Sequence, residues 1–252
     1  MFDLFRQAFL TERERSKFDK NWKVFLKSDQ NNKKIFRLEK KPLVYISEQL
    51  IPTKVDNRSP LLLVLGNPAS HSVEAGMFFS FEKDRNVHRF WKYILKPAGI
   101  LDLTYDNNLS VNDLNELRKK QLLSLDNESP FCIGLCVFIS MPSASGGPWS
   151  GIAGVQKLIG AKAMKRLENE ERKRVIDTAS KFLSPKGMVV TFQKNAWNGL
   201  KSDGDPDYSV ELARQAKLKG RLSGMLHIPL IGVPPTRLSG PCSRTLGQLT
   251  KS

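Results

Sequence analysis

Residues 61–101 read LLLVLGNPASHSVEAGMFFSFEKDRNVHRFWKYILKPAGIL. The stretch opens on unbroken apolar side chains, and 60–66 (PLLLVLG) has the length and composition of a strand buried on both faces. Three other runs share that character: 132–139 (CIGLCVFI), 187–192 (GMVVTF) and 225–233 (MLHIPLIGV). Pro229 interrupts the last run. Proline brings no N–H to a ladder, so this strand is expected to be irregular or to lie at a sheet edge. Between the runs, apolar residues recur at helical spacing in 88–95 (Phe90, Trp91, Ile94, Leu95), in 111–125 (Leu114, Leu117, Leu122, Leu125) and in 152–183. The last of these is heavily charged between Lys165 and Arg174, which predicts a solvated face or a break between two helices. Strands alternating with helices predict a mostly parallel sheet with helices beside it.

Working outward, residues 1–50 read as a basic, aromatic-containing extension that packs on a main domain spanning 51–252. Phe18, Trp22 and Phe25 fall on one helical face there. The compositions of 143–148 (SASGGP) and 202–207 (SDGDPD) mark surface loops. The chain holds 40 Lys plus Arg against 25 Asp plus Glu, a formal charge of +15. Such an excess favours a polyanionic partner through counterion release, and nucleic acid is the expected one. No apolar run reaches the roughly 20 residues that span a bilayer. Residues 1–15 lack the apolar core of a signal peptide, which predicts a cytoplasmic protein, or a nuclear one in a eukaryote. Three cysteines, Cys132, Cys136 and Cys242, are too few and too apolar in setting for a disulfide framework. Cys132 and Cys136 read as buried hydrophobes. Three histidines in scattered contexts predict no metal site.

In parallel α/β sheets, ligands bind beyond the carboxyl ends of the strands. Chemistry is therefore expected in 67–81, 140–150, 193–197 and 234–240. The first of these carries Gly66-Asn67-Pro68-Ala69, then Ser70 and Ser72, Gly76-Met77-Phe78-Phe79, His88-Arg89-Phe90-Trp91-Lys92, and Ala98-Gly99. In order and spacing it resembles the first active-site region of the uracil-DNA glycosylase superfamily, in its mismatch-specific uracil and thymine-DNA glycosylase branch. Residues 187–200 (GMVVTFQKNAWNGL) resemble that family's third strand and following helix start. Residues 233–239 (VPPTRLS) resemble its second motif, His/Asn-Pro-Ser-x-Leu-Ser.

The resemblance implies a three-layer α/β sandwich around a central, mostly parallel four-stranded sheet flanked by helices. It also implies a monofunctional DNA glycosylase, needing no cofactor or metal, that acts as a monomer on double- or single-stranded DNA. Asn67 would place the attacking water. Gly66, Pro68, Ala69, Ser70, His71, Phe79 and Pro234 would surround the extruded base, with His71 given no particular role. Pro235, Thr236, Arg237, Leu238 and Ser239 would meet DNA. Phe79 would stack on the base, and Leu238 would fill the place it vacates. Read without the family, Phe79 and Leu238 also fit a core, while Arg237 and Arg244 fit an ordinary charged surface.

Two departures bear on the chemistry. Leu65 and Ala69 stand where the family carries glycines. Pro234 stands where it carries His or Asn to stabilise the departing base, and proline offers no donor. Loss of one such donor costs on the order of 10²–10³ in rate. A catalytically weak or silent nucleic-acid-binding protein of the same fold is the alternative expectation.

Overall fold

The computed structural model describes residues 4–39, 42–81, 86–103, 105–183 and 185–250. It opens with a small antiparallel sheet, β1 (Leu4–Phe9), β2 (Phe36–Leu38) and β3 (Pro42–Ser47), in the order β1-β3-β2. Helices α1 (Glu12–Ser28) and α2 (Asn32–Ile35) lie between its strands. A reciprocal cap starts α1: Glu14 N–H donates to the Thr11 hydroxyl at 3.4 Å, and Thr11 N–H to the Glu14 carboxylate at 2.9 Å. Phe18 and Phe25 are fully buried, with Trp22 stacked between them at 5.1 and 6.0 Å. Phe25 meets Trp149 edge-on at 5.9 Å, so the extension shares its core with the rest of the chain.

The main sheet has five strands: β4 (Ser59–Leu65), β5 (Phe131–Val137), β6 (Met188–Thr191), β7 (Lys219–Leu222) and β8 (Met225–Gly232). Their order is β5-β4-β6-β8-β7. The four apolar runs are its four mutually parallel strands, and β7 adds an antiparallel fifth at the edge. The expectation of four strands is thus short by one. β7 (KGRL) has no apolar run to announce it, and a turn at Ser223-Gly224 (φ +77° at Gly224) folds it onto β8. Of the two expectations for β8, irregular or at an edge, the first is the one met. Pro229 sits opposite Arg221, at a register shift in the ladder, so the expected irregularity is present, but β7 covers that side.

Side chains alternate between the two faces along the strands, and each face of the sheet has its own core. Leu62, Val64, Cys132 and Cys136 face one side, and Leu61, Leu63, Leu65, Ile133 and Leu135 the other. Every one of these side chains is at most 5% exposed, and full burial of one leucine contributes about 1.5–3 kcal/mol. The first face is covered by α1, α5 (Gly151–Ile159), α6 (Ala161–Phe182) and α7 (Lys194–Leu200). The second is covered by a π-helical segment, Phe90–Leu95, with α4 (Val111–Ser124) and α9 (Ser239–Leu246). The short helices α3 (Ser70–Ala75) and α8 (Val210–Arg214) complete the set described. The protein is therefore mixed α/β, with helices around a mostly parallel sheet.

The charged stretch 165–174 is unbroken helix within α6. The chain breaks earlier, at Gly160, whose φ of +85° ends α5 and starts α6. The charged face of α6 is solvated except around Glu171 and Arg174. That carboxylate is fully buried, accepts from the Ser140 hydroxyl and lies 2.5 Å from Arg174 Nε. The expected surface loop at 143–148 also needs correction. Ser143 and Ala144 are 2% exposed, and only the residues that follow reach solvent.

Candidate functional site

The chain leaves β4 through Gly66 and runs beside the segment that follows β5. Phe138 N–H donates to Leu65 O, Ile139 N–H to Gly66 O, Ser143 N–H to Pro68 O and Ser70 N–H to Ser143 O, all within 2.8–3.0 Å. This continuation of the parallel ladder gives 66–70 a fixed course beyond the strand. Pro68 and Ser70 are buried, and Ala69 is half-buried at the start of α3. The Ser70 hydroxyl reaches Asn32 Oδ1 at 2.5 Å and Ser143 O at 3.0 Å. Ser70 is thus a strut between the extension and the loop, a structural use of a residue expected around the base.

Asn67 is half-buried. Its Nδ2 donates to the Ser143 hydroxyl at 2.9 Å, with longer approaches of 3.4 Å to Pro68 O and Met141 O. The Ser143 hydroxyl also accepts from Gly151 N–H, at the first turn of α5, at 2.8 Å. All of these bonds use the donor side of the amide. Among the described residues Oδ1 has no partner, so an oriented acceptor stands at the carboxyl end of the central strand.

Phe79 is half-buried, with φ +46°. A bulky side chain in the left-handed region costs about 1–2 kcal/mol, and such strain persists only where neighbours impose it. Here Trp91 Nε1 donates to Phe79 O at 3.0 Å, and the Phe90 ring lies 4.5 Å away. The turn before it needs a glycine, since Gly76 ends α3 at φ +66°. The His88 ring stacks on Phe79 at 4.5 Å and 16°. Phe90 N–H donates to His88 Nδ1 at 3.2 Å, which leaves the imidazole proton on Nε2. Burial, then the charges of Arg89 and His71, lower its pKa to about 4, so His88 is neutral at pH 7.

Phe90 touches Phe192 at 5.6 Å, and both share a core with Phe78 and Val233. The ends of β4, β6 and β8 are joined in this way beneath the surface. Val233 N–H donates to Thr191 O at 3.0 Å, and the Tyr208 hydroxyl to Val233 O at 2.9 Å. Pro234 is buried, Pro235, Thr236, Leu238 and Ser239 are half-buried, and Arg237 is exposed. Leu238 N–H donates to Pro235 O at 2.8 Å, a turn that leads into α9. No hydrogen bond or ring contact joins 234–239 to Asn67 or Phe79 among the described residues.

His71 lines a different space, a cleft of about 1020 Å³ shared with Asp29, Glu74 and Glu116. Carboxylates on its walls make it a poor trough for phosphate. The exposed cations lie elsewhere. Arg89 and Lys92 flank or lie on the π-helical segment, Lys194 opens α7, and Arg237 and Arg244 bracket the start of α9. Tyr93, 52% exposed, and Arg244 line one groove of about 730 Å³ between the π-helical segment and α9.

Three site residues carried no sequence signal of their own. Ser143 sat in a stretch that reads as loop. His88 was one member of a motif. Gln193, whose carboxamide rests against Gly66, was only the residue after a strand. No group of three or more His, Cys, Asp or Glu suited to a metal ion occurs among the described residues, and no helix there is long and apolar enough to cross a membrane. No protein-family model matches the chain, and a search of curated proteins returns no match.

Proposed function

We propose that the protein is a divergent DNA glycosylase of the uracil-DNA glycosylase type, which extrudes a damaged or mismatched base and hydrolyses its N-glycosidic bond. The observation that carries this reading is Asn67. Its amide is held by Ser143 at 2.9 Å, with Oδ1 unpaired among the described residues, where a water can be oriented at the carboxyl end of the parallel sheet. An amide is a weak base, so rate would come from placing the water and stabilising the departing base. The strained Phe79 supplies an aromatic surface beside the same strand end, and the exposed Arg89, Lys92, Lys194, Arg237 and Arg244 supply phosphate contacts.

The test is a gel assay for abasic sites on oligonucleotides carrying uracil, hypoxanthine, xanthine and thymine mismatches, each single- and double-stranded. Release of at least one base supports the reading. Folded, DNA-bound protein that releases none removes it. The second reading is a binding protein that keeps the pocket without the chemistry. Two observations favour it: Pro234 is buried and has no N–H, and His88 already covers Phe79 at 4.5 Å.

A further inference from the structure

Gln193 follows β6 and stands at the start of α7, on the strand that lies between β4 and β8. A Cβ built on Gly66 would stand 2.1 Å from its Oε1, 2.4 Å from Cδ and 2.5 Å from Nε2. The whole carboxamide therefore rests against the backbone of the residue before Asn67, in space that only glycine leaves open. The Gln193 side chain does not cap α7, and neither its donor nor its acceptor has a partner among the described residues. Among the described residues, a half-buried amide with both functions unpartnered thus lies against Gly66, the residue before Asn67, one strand away from the proline that carries no donor.

We infer that Gln193 provides the donor that Pro234 lacks, reading the edge of the extruded base with its carboxamide. The inference rests on Asn67 being the water-holding residue of a base-excision site. Uracil, thymine, hypoxanthine and xanthine all present a ring N–H beside a ring carbonyl. A carboxamide matches that edge, with Nε2–H donating to the carbonyl and Oε1 accepting from the ring N–H. In the hydrolysis, water adds its oxygen to the sugar carbon. The electron pair of the broken C–N bond leaves with the base, and the proton lost by the water ends on the base. Before that proton arrives, the negative charge left on the base reaches the ring carbonyl oxygen, where the Gln193 N–H meets it. No partner among the described residues fixes which way the carboxamide faces, so it can rotate to suit an amino-bearing edge as well. Discrimination should therefore appear in rate more than in binding, because only bases with the carbonyl place charge on the bonded atom.

Single-turnover excision tests this. Gln193→Ala should lower the rate by about 10²-fold with affinity for undamaged DNA unchanged at fixed salt. Gln193→Glu, which keeps the size and loses the donor, should be equally slow. Thermal melting tests the geometry separately: Gly66→Ala should lower Tm in the wild-type background and not in Gln193→Ala, where the overlap is gone. Wild-type excision that Gln193→Ala leaves as fast, or speeds, overturns the inference and makes Gln193 a plug. If the wild type excises nothing, the reading of Asn67 fails first. The Gln193 contact is then read from binding preference for a lesion over undamaged duplex. Absence of that preference, or its survival in Gln193→Ala, overturns the contact as well.

Discussion

Asn67 shows how much of a side chain's meaning lies in its partners. In sequence it is one half of an Asn-Pro turn; in the fold its donor is tied to Ser143 and, among the described residues, its acceptor is left over. If that acceptor places water, Asn67→Ala should cut excision at least tenfold, or about 1.4 kcal/mol of barrier, with DNA affinity unchanged. Equal loss of affinity and rate would make it a binding residue. His88 gives a second test at the same scale. Its pKa is lowered to about 4, mainly by burial, so the unfolded chain takes up a proton below about 6.5 that the folded protein refuses. The unfolded state then binds more protons in that window, and stability falls as pH drops from about 6.5 toward 4. In His88→Gln this part of the pH dependence should vanish from Tm curves; an unchanged curve would assign it to other groups.

Among the elements, the turn into α9 carries the sharpest expectation. Leu238 is half-buried where the chain enters the helix, neither sealed in the core nor free. As a wedge it acts only when a duplex must be opened, and unpairing costs a few kcal/mol. Leu238→Ala should therefore slow excision from a paired duplex more than from single strands. Equal effects on the two substrates would return Leu238 to packing. The β7–β8 hairpin shows the opposite relation between pattern and structure. Its edge strand is polar and short and buries only Leu222 in full, so no apolar run announces it and it forms where β8 offers an open ladder.

Across the whole molecule, a formal charge of +15 predicts DNA affinity that is indifferent to sequence and falls steeply with salt. Binding measured at several salt concentrations decides this, and a flat dependence would remove phosphate contacts from the account. Stability should also depend on Glu48, which is 3% exposed, has no hydrogen-bond partner for Oε2 among the described residues, and has its pKa raised well above 4.5 by burial. A raised carboxyl pKa means that the folded state keeps a proton that the unfolded chain releases, so its cost grows as pH rises above about 4.5. Glu48→Gln should raise Tm more at pH 8 than at pH 4. An equal gain at both would point to packing.

The sequence by itself determined the four parallel strands and the main helices, because continuous apolar runs and helical spacing are local properties that burial on two faces enforces. It also determined the burial of Cys132 and Cys136, for the same reason. It marked Gly66 and Asn67 without saying what they touch. Only the tertiary structure decided that Ser143 is buried beneath Asn67, that His88 covers Phe79, that Ser70 is a strut and that Gln193 fills the space beside Gly66. Each of these pairs residues from separate segments of the chain. A polar residue's composition signals solvent, and only when the strands are set side by side do such residues become each other's partners.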